Sequence, residues 1–489
     1  MSDPYEPDTA IGRPERQVVL AYMATAGVVL LLMMVLGLVM RLAQGELMPL
    51  APDWFYRIMT LHGTGMVGIA GVAGAGVMWY FLRQYVPLSL GVAWTNLALF
   101  LIGVVLIITG IAVGGYGGAW TFLYPLPASP MGMWATWGAA SFLVGLLLVG
   151  VGFLLLHLDT GRAIIARYGG LGRALGWPQL FGPNDGNAPA AAVIASTMVL
   201  IVNILGLISG AAIVVMSLVN LYFPAFEIDP LLAKNMIYFF GHVFINATIY
   251  MAVIGVYHLL PRYTGRPWPS SNKAFLAAWT ASTVMVVIVY PHHMLMDFAQ
   301  PEWLHVMGQI ISYTSGLPVL VVTAYGAIVN LHRSGIRWDL ASGLLTLGTF
   351  GWAAGTIPAI VDATIVVNQV MHNTMWVPGH FHFYLLLGVV AMALGFMSWM
   401  VKTYAGNRDT GTDRAAFWLY ALGGLGFVGM FLLGGREGTP RRYAEHIAEW
   451  VPYDRAAALF AALVILATLV FVGRFFAGLK RAATAETAA

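Results

Sequence analysis

Long apolar runs separated by short polar segments dominate the hydropathy pattern of this chain. Each run is about 20 or more residues long, which is the length that a helix needs to cross a bilayer. The runs do not alternate between apolar and polar residues as the strands of a membrane β-barrel would. The pattern therefore predicts an all-α polytopic membrane protein with twelve transmembrane helices. The predicted spans are residues 18–42, 57–82, 91–114, 132–157, 190–220, 233–260, 272–297, 304–331, 339–365, 378–401, 415–435 and 456–479.

The spans predict one integral membrane domain over residues 1–489, with short tails at about 1–17 and 480–489. The longest predicted loop, about 158–189, is rich in Gly and Pro. Most of the 24 Lys and Arg residues fall on the side that carries both termini. The positive-inside rule then predicts cytoplasmic termini and a location in a bacterial or archaeal cytoplasmic (inner) membrane.

Composition supports this class and excludes several others. The chain is 59% hydrophobic and only 9% charged, whereas soluble domains are usually about 25% charged. Membrane lipid is therefore an expected partner, and the net charge of +3 gives no sign of nucleic acid binding. Cysteine is absent, which excludes disulfides, iron–sulfur clusters, covalently attached haem c and thiolate copper sites in this chain.

Histidines concentrate at one predicted depth, in the outer part of the membrane. Six of the twelve histidines lie there on four spans. A lone membrane histidine often does no more than hydrogen-bond a neighbouring helix. Ionisable residues inside a membrane are nonetheless candidates for function, and six at one depth favour a shared site. The six are His62, His242, His292, His293, His380 and His382.

The spacing of His380 and His382 predicts two large cofactors, one on each side of span 10. Residues two apart in a helix differ in direction by roughly 200°, so one metal ion cannot bind both imidazoles. Haem iron takes an axial imidazole, and a bundle of apolar helices is a suitable haem site. The pair therefore indicates two haems that are joined by one short stretch of helix.

His292 and His293 predict a different kind of site. Adjacent helical residues diverge by about 100°, but Pro291 cannot donate a backbone hydrogen bond, so the helix can loosen there. Both imidazoles could then face one centre with His242 from span 6. Imidazole suits copper, zinc or iron. The lack of a nearby carboxylate on span 6 favours copper over non-haem iron.

Five stretches of the chain together resemble the catalytic subunit of the haem–copper oxidase superfamily, and the first resembles its B-type branch most. They occur in the family order and on the expected side of the membrane. The stretches are MHNTMWVPGHFHFY, YPHHMLMDF, FFGHVFINATIY, LHGTGMVGIAG and GTPRRYAEH.

This resemblance implies specific roles and three cofactors: a low-spin haem, a high-spin haem and copper B. It implies that His62 and His382 bind the low-spin haem iron and that His380 binds the high-spin haem iron. It also implies copper B ligands at His242, His292 and His293. Arg441 and Arg442 match an arginine pair that binds haem propionates, which suits the bidentate geometry of guanidinium groups. His372 resembles a residue near the propionates of the high-spin haem.

The chain departs from oxygen-reducing members at the active-site tyrosine. The usual position, four residues after His242, is Asn246, and the position used in another branch is Val286. Tyr250 lies eight residues beyond His242, about 12 Å along the helix axis, so it is not a direct substitute. One-step cleavage of the O–O bond needs four electrons, and tyrosine normally supplies the fourth. Reduction of two nitric oxide molecules needs two, and small nitric oxide reductases that resemble the B-type branch carry asparagine here.

Four interpretations follow from these features. The first is a nitric oxide reductase, and the second is a B-type cytochrome c oxidase that could also pump protons. The third is a transporter or channel lined by histidines, and the fourth is a quinol-linked dihaem protein without copper. The first two take a diatomic gas as substrate.

Electrons and protons must reach the site from elsewhere. Because the chain has no cysteine for a copper A site, we expect a second subunit with a cupredoxin or cytochrome c domain. The electron donor would be cytochrome c or quinol. Ser312, Tyr313, Thr314 and Ser315 could form a hydroxyl path for protons, and Asp362 is an acidic candidate without an assigned role.

Overall fold

The computed structural model describes residues 11–183 and 186–485. Within these ranges it contains twelve helices of membrane-spanning length and composition, so the predicted fold class is confirmed. Residues 1–10 and 486–489 of the predicted tails, and 184–185 of the predicted loop, lie outside the described ranges. The helices are α1 Arg13–Gln44, α2 Pro52–Leu82, α3 Leu90–Ala112, α4 Thr136–Tyr168, α5 Ala191–Tyr222, α6 Pro230–Thr264, α7 Lys273–Met294, α8 Glu302–Leu331, α9 Leu340–Asp362, α10 Trp376–Ala405, α11 Gly411–Arg436 and α12 Val451–Thr484.

The predicted end of span 4 at residue 157 was wrong, because α4 continues to Tyr168. Asp159 and Thr160, at the start of the predicted loop, are buried on the helix instead. The carboxylate of Asp159 accepts the backbone N–H of Ser89 at 2.8 Å and pairs with Arg162 at 2.6 Å. The helix ends at Gly169, whose φ of 74° is in the left-handed region that glycine adopts readily. Two short helices follow, Leu171–Ala174 and Trp177–Phe181.

Three membrane helices depart from regular α geometry. In α7 the α-helix ends at Ile288, and a 3-10 turn follows over Tyr290–Met294, as Pro291 led us to expect. In α8 the regular helix is interrupted at Gly316, before Leu317. In α10 a π-helical turn covers Leu385–Val390, just after the two histidines. Such turns occur frequently at functional sites.

Helices α2, α6 and α10 form the centre of the bundle and contact one another. Within the most apolar stretch of each, 89%, 83% and 89% of the residues are buried, against 56% or less in the other described membrane helices. The central helices carry His62, His242, His380 and His382. The side chains that the sequence singles out therefore lie inside the bundle rather than facing lipid. We call the end where α2, α6 and α10 begin and α7 finishes the site end.

Candidate metal and haem site

One internal cavity at the site end contains all of the predicted site residues. It lies between the central helices and extends to the 3-10 turn of α7 and to the loop before α12. Residues of eight membrane helices, α1, α2 and α6–α11, therefore line one space. The predicted residues that line it are His62, His242, Asn246, His292, His293, His372, His380, His382, Arg441 and Arg442.

Three imidazoles converge on one point in this cavity. Nδ1 of His242 lies 3.1 Å from Nε2 of His293, and Nε2 of His292 lies 3.2 Å from the same atom. Two nitrogens bound to one tetrahedral ion at about 2.0 Å would be about 3.3 Å apart. The three side chains therefore have the spacing of a metal site, and their donor set suits copper, zinc or iron.

Side chains hold two of these rings from behind. Nδ1 of His292 lies 2.8 Å from Oγ of Ser312, so Nε2 faces the cluster. The amide of Asn246 lies 2.9 Å from Nε2 of His242 and also donates to the main-chain carbonyl of His242. Partners of this kind orient a ligating histidine. Asn246 thus contacts the histidine cluster directly. In the sequence, only the family resemblance singled it out as a site residue.

His62 and His382 form a second arrangement on another side of α10. Their rings are nearly parallel, at 18°, with centroids 6.5 Å apart. Nδ1 of His62 donates to the carbonyl of Met33 at 2.7 Å, and Nδ1 of His382 donates to that of Pro378 at 2.6 Å. Because a carbonyl can only accept, both Nε2 atoms are left unprotonated for a metal. This geometry fits an axial ligand pair.

Glycine makes room for one of these rings. A Cβ atom at Gly37 of α1 would lie 2.9 Å from Cε1 of His62. Because the ring is held by Met33, a larger residue at position 37 would force it to move. The position of the His62 ring therefore depends on a close approach of α1 to α2.

His380 faces away from this pair, toward α9. Its Nδ1 lies 3.6 Å from Oδ2 of Asp362, whereas His382 contacts Phe427 and Phe431 of α11. The two imidazoles thus face different helices, as their two-residue spacing predicts. Each opens onto a different part of the cavity.

A cluster of two arginines, Arg441 and Arg442, lines the cavity at the site end. The N–H of Arg441 donates to the carbonyl of Asn373 at 2.9 Å, which joins the loop before α12 to the segment before α10. Burial and the neighbouring Arg442 lower the pKa of Arg441 to about 10. Burial, Arg441 and Arg442 also lower the pKa of His372 to about 4. Such a cluster would be stabilised by an anionic ligand, and haem propionates fit this requirement.

The sequence analysis missed a polar network beside His62 and His382. Arg41 lines the cavity and pairs with Asp454 at 2.9 Å, and Asp454 also accepts from Nδ1 of His446 at 2.6 Å. Gln44 of α1 donates to the carbonyl of Tyr443 at 2.6 Å. Arg41 could have indicated this network, because it lies inside a predicted span and ionisable residues inside a membrane are candidates for function.

Two further features concern hydroxyl groups. The ring of Tyr238 stacks on His293 with centroids 5.7 Å apart, one helical turn before His242. Among the four residues of the predicted hydroxyl path, Ser312, Tyr313 and Ser315 line the cavity. Thr314 is exposed, and its hydroxyl donates to the carbonyl of Ile310 in its own helix. Thr314 therefore does not fit the predicted proton path, and the other three residues remain candidates for it.

Comparison with known proteins identifies the family. Residues 17–475 match the family described as Cytochrome C and Quinol oxidase polypeptide I. The chain belongs to this family. It is therefore a member of the haem–copper oxidoreductase superfamily, and the histidine cluster is consistent with the haems and copper B that the family implies.

Individual relatives are distant. Cytochrome c oxidase subunit 1 of Synechocystis is 27% identical over 450 residues, which cover 87% of this chain and 76% of the relative. The subunits of the same name from Thermus thermophilus and Cereibacter sphaeroides are 25% and 27% identical, and each match covers 52% of this chain. These two matches span about half of the relatives' own length, 48% and 45%.

A solved structure shares the fold. It is described as a heme-copper terminal oxidase dimer, with a TM-score of 0.75 and 20% identity. The match covers 97% of this chain and 84% of that chain. At this identity the likeness concerns the fold alone.

Proposed function

We propose that this chain is the catalytic subunit of a respiratory nitric oxide reductase that resembles the B-type branch of the haem–copper superfamily. In this reaction two NO, two electrons and two protons give N2O and H2O. A bond forms between the two nitrogens and one N–O bond breaks, and an external donor is oxidised. The observation that carries the proposal is Asn246, an amide in the place of the active-site tyrosine.

The proposed ligands follow from the geometry of the cavity. His62 and His382 would hold the low-spin haem, and His380 would hold the high-spin haem on the opposite side of α10. His242, His292 and His293 would hold copper B. When bound, the high-spin haem and copper B supply the two adjacent metal positions and the two electrons that the reaction requires. Arg441 and Arg442, with His372 beside them, would bind the propionates.

Asn246 suits two-electron chemistry better than four-electron chemistry. Its amide contacts His242 at 2.9 Å and can donate or accept hydrogen bonds. Unlike a phenol, it provides no oxidisable O–H group. Among the described residues, no hydroxyl group is hydrogen-bonded to His242. A site with this partner can orient a small polar gas molecule, but it lacks the residue that normally supplies a fourth electron.

Oxygen reduction by a B-type cytochrome c oxidase is the second candidate. The curated relatives that match this chain are named as subunits of cytochrome c oxidase. Several tyrosines also line the cavity, and Tyr238 stacks on a proposed copper ligand. A phenol placed beside the copper ligands could supply the electron that the missing tyrosine normally provides. An enzyme of this kind could also pump protons.

The proposed assembly extends beyond this chain. A second subunit with a cupredoxin (copper A) or cytochrome c domain would deliver electrons from cytochrome c or quinol at the site end. The termini would lie in the cytoplasm, and the complex would lie in a bacterial or archaeal inner membrane. The short distance along α10 between His380 and His382 would favour rapid electron transfer between the two haems.

Substitution of Asn246 tests the proposal. Asn246→Leu removes the amide while keeping a similar volume, so we expect nitric oxide turnover per copper-loaded centre to fall at least ten-fold. The matched control is Asn96→Leu, at a buried asparagine of α3 that bonds Tyr22. Tyr22 retains the carbonyl of Ala93 as a partner, so the control should keep full activity. Equal activity in both variants would contradict a role for Asn246.

Measurements on the same purified complexes test the two remaining interpretations, a transporter or channel and a dihaem protein without copper. A reduced-minus-oxidised spectrum with two haem components would exclude a histidine-lined transporter or channel. One copper per two irons by elemental analysis would exclude a dihaem protein without copper.

A further inference from the structure

The carboxylate of Asp362 is buried behind His380. Asp362 is the last residue of α9 and is 7% exposed. Its Oδ2 lies 3.6 Å from Nδ1 of His380, the ring nitrogen on the side of α9. That nitrogen is buried and has no hydrogen-bond partner among the described residues. Since buried polar groups are nearly always paired, this nitrogen lacks a partner that the neighbouring carboxylate can provide.

Asp362 is held in place by other contacts that leave Oδ2 available. The side-chain amide of Asn368, in the short helix Ile365–Met371, donates to the carbonyl of Asp362 at 2.7 Å and to Oδ1 at 3.4 Å. No hydrogen bond to Oδ2 is found within the described part of the chain. A shift of about 0.4 Å would bring Oδ2 within hydrogen-bond range of His380.

The carboxylate beside His380 differs in kind from the groups that contact His62, His382 and His292. His62 and His382 donate to neutral main-chain carbonyls, and His292 contacts a neutral hydroxyl. A carboxylate is a stronger acceptor because it is ionised. When it accepts from a ligating histidine, it fixes the tautomer and raises the basicity of the ring.

We propose that Asp362 is a positioning residue for His380. The Nδ1–H of His380 donates to Oδ2 of Asp362, which keeps Nε2 unprotonated and directed at the iron that His380 would bind. The added electron density on the ring favours ferric over ferrous iron, so it lowers the reduction potential of that haem alone. This inference rests on the proposed assignment of His380 and is independent of which gas the enzyme reduces.

Three substitutions in the purified complex test it without substrate. Asp362→Asn removes the charge, Asp362→Leu removes the acceptor, and Asp362→Glu keeps a carboxylate. Asp159→Asn is the control, because Asp159 is a buried carboxylate that pairs with Arg162 and does not line the cavity. The readouts are the Fe–His stretching frequency of the reduced high-spin haem by resonance Raman and the midpoint potential of each haem by optical titration.

We expect Asp362→Asn and Asp362→Leu to lower the Fe–His frequency and raise the high-spin potential, with partial recovery in Asp362→Glu. The low-spin haem should not change, and Asp159→Asn should match the wild type. Unchanged frequency and potential in Asp362→Leu would overturn the inference, and so would equal shifts of both haems. His380→Ala tests the assignment of His380 as a haem ligand separately from the role of Asp362. Retention of the high-spin haem in that variant would mean that the proposed assignment of His380, rather than only the role of Asp362, is wrong.

Discussion

The two histidine sites beside α10 differ in what lies behind each ring. The rings of His62 and His382 are held by main-chain carbonyls, at 2.7 and 2.6 Å. In the three-histidine cluster, His242 and His292 are held by the side chains of Asn246 and Ser312. Main-chain partners are kept by any sequence that preserves the fold, whereas side-chain partners change with one substitution. The comparison indicates that support of the proposed low-spin haem ligands is built into the fold, whereas support of the proposed copper ligands depends on replaceable side chains.

The largest expected effects come from removing one ligand in each site. His382→Ala should eliminate the low-spin haem spectrum and leave copper bound. His292→Ala should eliminate copper and leave both haems, because neither ring contributes to the other site. Optical spectra and the copper-to-iron ratio of the purified complexes check this. Loss of both groups in either variant would mean that the sites do not form independently.

Ser312→Ala tests the side-chain support of the cluster. The loss of the partner of Nδ1 frees the ring of His292 to rotate, and loss of such a partner typically costs 10–100-fold in metal affinity. Retention of copper during dialysis against a chelator of graded strength measures the change. The control is Thr314→Ala, two residues along the same helix, whose hydroxyl bonds only within its own helix. Equal retention in the two variants would show that the side-chain partner is not needed.

Gly37→Ala tests the main-chain support of the low-spin pair. The added methyl would lie 2.9 Å from Cε1 of His62, whose Nδ1 is held by Met33. We expect reduced low-spin haem content with copper unchanged. Gly429→Ala is the matched control, because a methyl there meets open space. Full low-spin haem content in Gly37→Ala would indicate that α1 is free to move away.

The smallest expected effect is that of Lys234→Met. Lys234 pairs with Asp297 at 2.7 Å near the cluster, but its side chain is 35% exposed. Exposed ion pairs contribute about 0–1 kcal/mol, so thermal stability should change little and copper should remain bound. A large loss of copper would instead show that this ion pair holds the 3-10 turn of α7 in place.

Hydropathy was sufficient to predict the helices of the bundle and the common depth of the six histidines. Both properties are local, because each span needs only its own run of apolar residues. The orientation of His292 and His293 was also accessible, since Pro291 disrupts the helix by its own chemistry. The extension of α4 was not, because the carboxylate of Asp159 is buried against Ser89, which lies 70 positions away in the sequence.

The partners behind the rings could not be predicted from sequence. Arg41 and Asp454 are separated by 413 positions, and His380 meets Asp362 only because α9 and α10 pack closely. At Gly351 a Cβ atom would lie 2.8 Å from the main-chain carbonyl carbon of Leu387, which shows how near the two helices approach. Contacts of this kind depend on how whole helices pack, and no periodicity within one helix contains that information.

The measurement that tests the central claim most directly is turnover of both gases by one preparation of the purified complex with a reduced donor. Nitric oxide consumption and nitrous oxide formation would be followed without oxygen, and oxygen uptake would be followed separately. The account predicts fast formation of one N2O from two NO, with poor oxygen turnover. Fast oxygen turnover with little reduction of nitric oxide would contradict it, and would direct attention to Tyr238 as the source of the fourth electron.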